Sequence, residues 1–227
     1  MIRTIRDIVG ASLAVTLVVL GFLSVFEAQT TDAASTEDQF LVTQSVTAEI
    51  AFSTGASDVT MSPSLGGLTG GTSTAETHVN VLTNALAGYT MTIKSSSSPA
   101  MQHIATSTSI TDYTSSITGV PDFTYRSGST GSGYQFAYSI SASSTPDLAQ
   151  KFRDDGSNCN TGTSDTNAST TCWYGFSTTA TSTIVRSIYT PASGATTTIY
   201  LRLTINPNSA PIEGTYHATT TFTATTN

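Results

Sequence analysis

From position 46 onward, apolar and polar residues alternate with a period of two, and no long segment has the 3.6-residue period of a helix. Val46, Ala48, Ile50 and Phe52 alternate with Thr47, Glu49 and Ala51, and Tyr89, Met91 and Ile93 with Thr90 and Thr92. Tyr134, Phe136, Tyr138 and Ile140 point one way while Gln135, Ala137 and Ser139 point the other. Ile199, Leu201, Leu203 and Ile205 repeat the pattern, as do Tyr216, Ala218, Thr220, Phe222 and Ala224. Such alternation marks strands with one buried and one solvated face. The pattern predicts strong strands over 46–52, 89–93, 134–140, 198–205 and 216–224, and shorter ones over 77–82, 123–125, 173–176 and 184–188. Turn chemistry separates them at Gly66-Gly67, Gly70-Gly71, Ala87-Gly88, Gly128 to Gly133 and Pro207-Asn208. Eight to ten short strands of this kind predict an all-β, antiparallel β-sandwich, Ig-like or jelly-roll-like. No shift in composition marks an internal linker, so residues 35–227 read as one extracellular domain. A division near 141–145 is the alternative.

The amino terminus follows another rule. Arg3 and Arg6 precede an uncharged apolar run over 8–26, the arrangement of an export signal. Residues 1–34 therefore read as a signal peptide or an amino-terminal membrane anchor helix. Small-residue cleavage sites lie at 31–33 and 33–35, yet the run is also long enough to span a bilayer. A third reading is a pilin-like leader ending at Gly10, but the Glu expected five residues after such a processing site is absent. In each case the bulk of the chain belongs outside the membrane.

Composition narrows the function classes. The chain has 45 Thr and 32 Ser in 227 residues, only 10% charged residues, and two lysines, Lys94 and Lys151. Nucleic-acid binding needs clustered Lys or Arg and is excluded on that ground. Beyond residue 34 twelve acidic residues stand against six basic ones, so anionic partners are not favoured. Threonine suits the outer face of a strand, being β-branched and polar.

Two cysteines, Cys159 and Cys172, in an exported chain predict one disulfide. It would brace a long surface loop over 146–172, opening with a short helical turn around 146–152. That loop also holds Asp154, Asp155, Asn158, Asn160 and Asp165, hard oxygen donors of the type Ca2+ requires. The alternative is an ordinary solvated loop, since Asp, Asn and Gly also build turns. No Cys or His spacing suits a transition metal, and no other cofactor is implied. Trp173 and Tyr174 are candidates for a carbohydrate-stacking platform; Trp173 packed against the disulfide is the competing reading. Catalysis finds little material: His78, His103 and His217 are the three histidines, and no Gly-x-Ser-x-Gly elbow is present. An isopeptide staple would need Lys94 or Lys151 buried beside Asn and a carboxylate. Asn167-Ala168-Ser169 is a glycosylation acceptor pattern, and the Ser/Thr runs could carry O-glycans.

The segments VTAEIAF, LGGLTGG, LTNALAGYTMTI and LRLTINPNSAPIEGTYHATTTFTATTN resemble the secreted Thr/Ser-rich β-sandwich surface proteins of uncultured small-genome bacteria. More distantly they are similar to WxL-type cell-surface domains, whose last strand also follows a Gly-Thr-Tyr turn. The likeness spans roughly 46–93 and 200–226, and it departs in having no Trp-x-Leu motif. It implies a surface location and a cell-envelope or surface-polymer partner. The expectation is an exported, non-enzymatic, structural or adhesive surface protein that self-associates through strand edges. A carbohydrate-binding module and a pilin-like subunit are the alternatives. Membrane contact is expected only through 8–26, if uncleaved.

Overall fold

The computed structural model describes residues 38–127, 133–144, 147–162 and 171–227. The apolar run over 8–26 and the boundary at residue 34 lie outside the described residues. Residues 46–227 form one compact unit. Its strands are β1 (Ile50–Thr54), β2 (Gly71–Thr83), β3 (Tyr89–Ser95), β4 (Met101–His103), β5 (Ser109–Asp112), β6 (Tyr134–Ala142), β7 (Thr181–Arg186), β8 (Ala195–Ile205), β9 (Tyr216–Ala218) and β10 (Thr220–Thr226).

These strands build a β-sandwich-like, all-β fold. The larger sheet has the order β1-β2-β8-β6-β5-β4-β9, and the smaller has β10-β3-β7. Every pair is antiparallel except β5 with β6, which is parallel over Thr111–Gln135 and Asp112–Phe136. A parallel pair needs a crossover rather than a hairpin, and here the crossover is the 113–133 connection. The apolar phases named above meet between the sheets. Tyr89, Met91 and Ile93 of β3 and Ile184 of β7 pack against Val79, Val81, Phe136, Tyr138, Ile140 and Ile199. Thr90, Thr92, Thr221, Thr223 and Thr225 occupy the opposite phase of the smaller sheet.

The predicted strands are modified in several places. The first begins at Ile50 rather than residue 46, and Val46 is exposed. β2 begins at Gly71 rather than residue 77, and β7 spans Thr181–Arg186 rather than 184–188. The expected strands over 123–125 and 173–176 are absent; in their place are two isolated bridges, Asp122 to Trp173 and Tyr138 to Tyr174. The run over 216–224 is two strands, because the chain leaves the larger sheet after Ala218 and joins the smaller at Thr220. Finally β4 and β5, of three and four residues, are too short for alternation to reveal.

Candidate functional site

The largest departure from simple alternation lies on the outer face of β6. Gln135, Ala137 and Ser139, the phase expected to meet solvent, are buried. Two segments cover them, 113–126 from the crossover and 171–176. Both carry several aromatic residues, and neither forms a strand. Trp173 N–H donates to the Asp122 carbonyl at 2.9 Å, and Asp122 N–H returns the bond to Trp173 at 3.0 Å. Tyr174 exchanges a similar pair with Tyr138 at 2.8 and 2.9 Å, so 171–176 lies beside β6. Consecutive residues of an extended segment point to opposite faces. Trp173 therefore joins Tyr113, Tyr125, Ala137 and Tyr200 on the outside, while Tyr174 packs against the main core.

The outer cluster has defined geometry. Tyr125 meets the Trp173 edge at 5.7 Å between centroids and stacks on Tyr113 at 4.9 Å. The Arg202 guanidinium lies 4.2 Å from the Tyr125 centroid and 5.7 Å from that of Trp173, within cation–π range. Tyr113 donates its hydroxyl to Asp122 Oδ2 at 2.6 Å, and Ser116 N–H bonds both carboxylate oxygens. Burial first, and then the Asp122 carboxylate, push the Tyr113 phenol well above its ordinary range. At Gly175 a Cβ would stand 1.9 Å from the Tyr113 carbonyl oxygen, so only glycine lets the two segments approach this closely.

This arrangement corrects the glycan-stacking expectation. Trp173 is 2% exposed, with its ring against Tyr125 and Arg202, in the outer cluster rather than the core cluster that holds the two cysteines. Tyr174 points to the other side of the sheet, with Lys151 Nζ 4.5 Å from its ring centroid. The two rings do not form a shared platform.

Cys159 and Cys172 form the expected disulfide, with Cα atoms 5.7 Å apart. The braced segment is less of a surface excursion than its acidic composition implied. Leu148, Ala149 and Phe152 are buried in the main core around a 3-10 turn at Gln150–Phe152. Ala149 N–H also bonds the Thr183 carbonyl of β7 at 2.8 Å. Beside this turn, Asp147 pairs with Arg186 Nη1, both side chains nearly buried. Burial and the Asp147 charge push the Tyr89 phenol up to about 12.

The five candidate calcium ligands are not gathered into a described site. Asp154 is fully buried, and its Oδ1 accepts Gly156 N–H at 2.9 Å. Asp155 is exposed and caps the following turn, accepting Asn158 N–H at 2.7 Å, Ser157 N–H at 2.9 Å and the Thr161 hydroxyl at 3.0 Å. Those bonds, the Asn158 N–H foremost, hold its carboxyl below the usual range. Asn158 and Asn160 are exposed, and Asp165 and Asn167 lie outside the described residues. Among the described residues no group of three His, Cys, Asp or Glu side chains is placed to hold a metal ion.

His103 is the one buried histidine, and the backbone occupies both ring nitrogens. Nδ1 accepts Ala105 N–H at 3.0 Å and Thr106 N–H at 3.1 Å, leaving Nε2–H to donate to the Glu213 carbonyl at 3.0 Å. The ring fastens two loops together, and Gly214 leaves it room. His78 and His217 are exposed on strands. An open cleft of about 750 Å³ beside β1 is walled by Ile50, Leu82, Tyr189, Pro191 and Ala192, with Glu49 as its charge.

One half-buried carboxylate gives a pH prediction. Asp112 ends β5 and accepts Ala100 N–H at 3.0 Å. Burial pushes its pKa up from 3.8 to about 6, against the opposing hydrogen bonds from Ala100 and Ser98. The folded state therefore binds the proton more tightly than the unfolded one. The associated stability is fully present below about pH 4 and lost as pH rises through 6. Asp112→Asn keeps an oxygen for Ala100 N–H but has no charge to bury. Relative to the parent it gains stability between pH 4 and 7, by about 1 kcal/mol after solvent screening. Urea midpoints across that range check this, and a constant difference would refute it.

No protein-family model matches the chain, and no curated protein matches it in sequence.

Proposed function

We propose that this chain is an exported, non-enzymatic surface protein with a structural or adhesive role on the cell envelope. It would resemble in kind the Thr/Ser-rich surface sandwiches and, more distantly, WxL-type domains. The observation that carries the reading is the Cys159–Cys172 disulfide. It uses both cysteines of the chain and is buried at both ends. Such bonds persist in oxidising compartments, which agrees with the basic-then-apolar start of the sequence. The threonine-covered smaller sheet and the low charge density suit a solvated exterior that attracts few ionic partners. His103, both nitrogens taken by backbone, is better explained as a loop fastener than as a base.

Intact mass and amino-terminal sequence, taken separately from membrane and medium fractions, test this. The expected result is recovery outside the cytoplasm about two mass units below the reduced chain, from the two hydrogens lost on closing the disulfide. A start near Ala34 or Ser35 identifies a released or assembled subunit. Recovery in membranes with 8–26 intact identifies a tethered domain, and a start at Ala11 identifies the pilin-like alternative. A cytosolic chain with two free thiols would overturn the proposal.

A further inference from the structure

Among the described residues four strands have a neighbour on one side only: β1 and β9 in the larger sheet, β10 and β7 in the smaller. Open edges invite pairing with other chains, and proteins blunt them by shortness, bulges, charge or a covering segment. Three of the four are blunted. β9 has three residues. β1 has five, and its register with β2 slips between Phe52 and Thr54. The outer side of β7 is covered by Leu148 and Ala149, which bridge to Ile184 and bond Thr183. β10 has no such protection. Its seven residues, Thr-Thr-Phe-Thr-Ala-Thr-Thr, contain no charge, proline or glycine. Its register with β3 runs unbroken from Thr220–Ser95 to Thr226–Tyr89. β1 passes nearby without a backbone hydrogen bond to it. The outward N–H and C=O groups of Thr220–Thr226 have no protein partner among the described residues.

We propose that β10 is a self-association edge, pairing antiparallel with β10 of a second copy about a two-fold axis at Thr223. The two smaller sheets then join into one continuous six-stranded sheet. This rests on the surface-protein reading and names its partner. Three features favour a second copy as occupant. Antiparallel pairing of a strand with itself is self-complementary and closes a dimer. Because β10 is uncharged, no like charges meet across the new pair. With the axis at Thr223, Phe222 of each copy faces Ala224 of the other, large against small, and Thr221 faces Thr225. Phe222 and Ala224 are only partly buried in the single chain, so pairing covers them further. Lys94, the neighbouring charge, lies one strand in, opposite Thr221. The two copies of Lys94 are then offset by four residues, about 14 Å along the strands, beyond a Debye length of about 8–10 Å.

The test uses the full-length chain in non-ionic detergent. Sedimentation should show a concentration-dependent dimer. Thr223→Lys, an exposed change that places two ammonium groups face to face, should weaken self-association at least about tenfold. Thr223→Val should preserve it. Thr223→Cys, treated with a short bis-maleimide that tolerates a two-residue slip, should cross-link to itself more than Thr178→Cys on an exposed loop. A dimer that persists in Thr223→Lys is held elsewhere and overturns the inference. So does a chain that stays monomeric, or a cross-link that forms only between Thr223→Cys and Val42→Cys, which would make the exposed 38–46 segment the occupant. If an impermeant maleimide labels Thr223→Cys on intact cells while no dimer forms, the surface reading stands and edge pairing fails. If Thr223→Cys is not labelled and the chain is recovered in the cytosol, the surface reading fails whatever the oligomeric state.

Discussion

Replacing Trp173 by alanine lowers the stability of the folded domain by about 3–5 kcal/mol, the range for deleting a large buried aromatic. The indole is enclosed by Tyr113, Tyr125, Ala137 and Tyr200, so the void cannot fill with water at low cost. The Arg202 guanidinium loses one of its two ring partners. The loss also spreads beyond the side chain, since Trp173 shares two backbone hydrogen bonds with Asp122 and so ties 171–176 to the crossover segment. Loosening that pair uncovers Gln135, Ala137 and Ser139 of β6. Urea denaturation measures the effect. The parent's Trp173 is the sole tryptophan and reports directly, its emission expected to be blue-shifted and shielded from iodide. An unchanged midpoint, together with loss of binding to a glycan array, would mean that the ring serves a ligand instead.

Removing the disulfide is the second large effect. In Cys159→Ala/Cys172→Ala a chain closure across a sequence separation of 13 is lost, a change of about 3 kcal/mol in the chain-entropy account. For a domain of this size that lowers Tm by roughly 6–12 °C. The structure indicates where the loss falls. Cys172 adjoins Trp173, and Cys159 bridges Asp154 just beyond the 3-10 turn that presents Phe152 to the core. Opening the bond therefore frees both the cover over β6 and the plug between the sheets. Calorimetry of the parent with and without reductant should reproduce most of the shift. A reductant-insensitive Tm would show that the bond does not restrain the fold.

How much was legible from the sequence depended on length and periodicity. β3 alternates cleanly and its core residues were readable position by position; β6 and β8 showed their core phase but not that Gln135, Ala137, Ser139 and Thr204 are buried as well. β4 and β5 are shorter than two periods and carry no pattern. The 216–224 run alternates without interruption although it serves two sheets, because alternation reports facing and not pairing partner. The disulfide followed from counting cysteines in a chain whose start reads as an export signal. The fate of Trp173 and Tyr174 did not: adjacent aromatics look alike in a sequence, and only the path of 171–176 along β6 sends them to opposite faces. The Asp/Asn cluster was likewise ambiguous. Carboxylates that cap turns and carboxylates that gather a cation have the same composition and differ only in direction.

Local physics alone determined that this chain forms strands with most threonines outside and most aromatic and aliphatic residues inside, since side chains alternate at every step of a strand. The count of two cysteines pointed to their joining without fixing where the bond would lie. The tertiary structure alone decided that β6 is buried on both faces, that Leu148 and Phe152 plug the core from an acidic segment, and that β10 alone of the described edges is left unprotected. Those outcomes depend on which segments, far apart in the chain, come to lie side by side, and no local period encodes that.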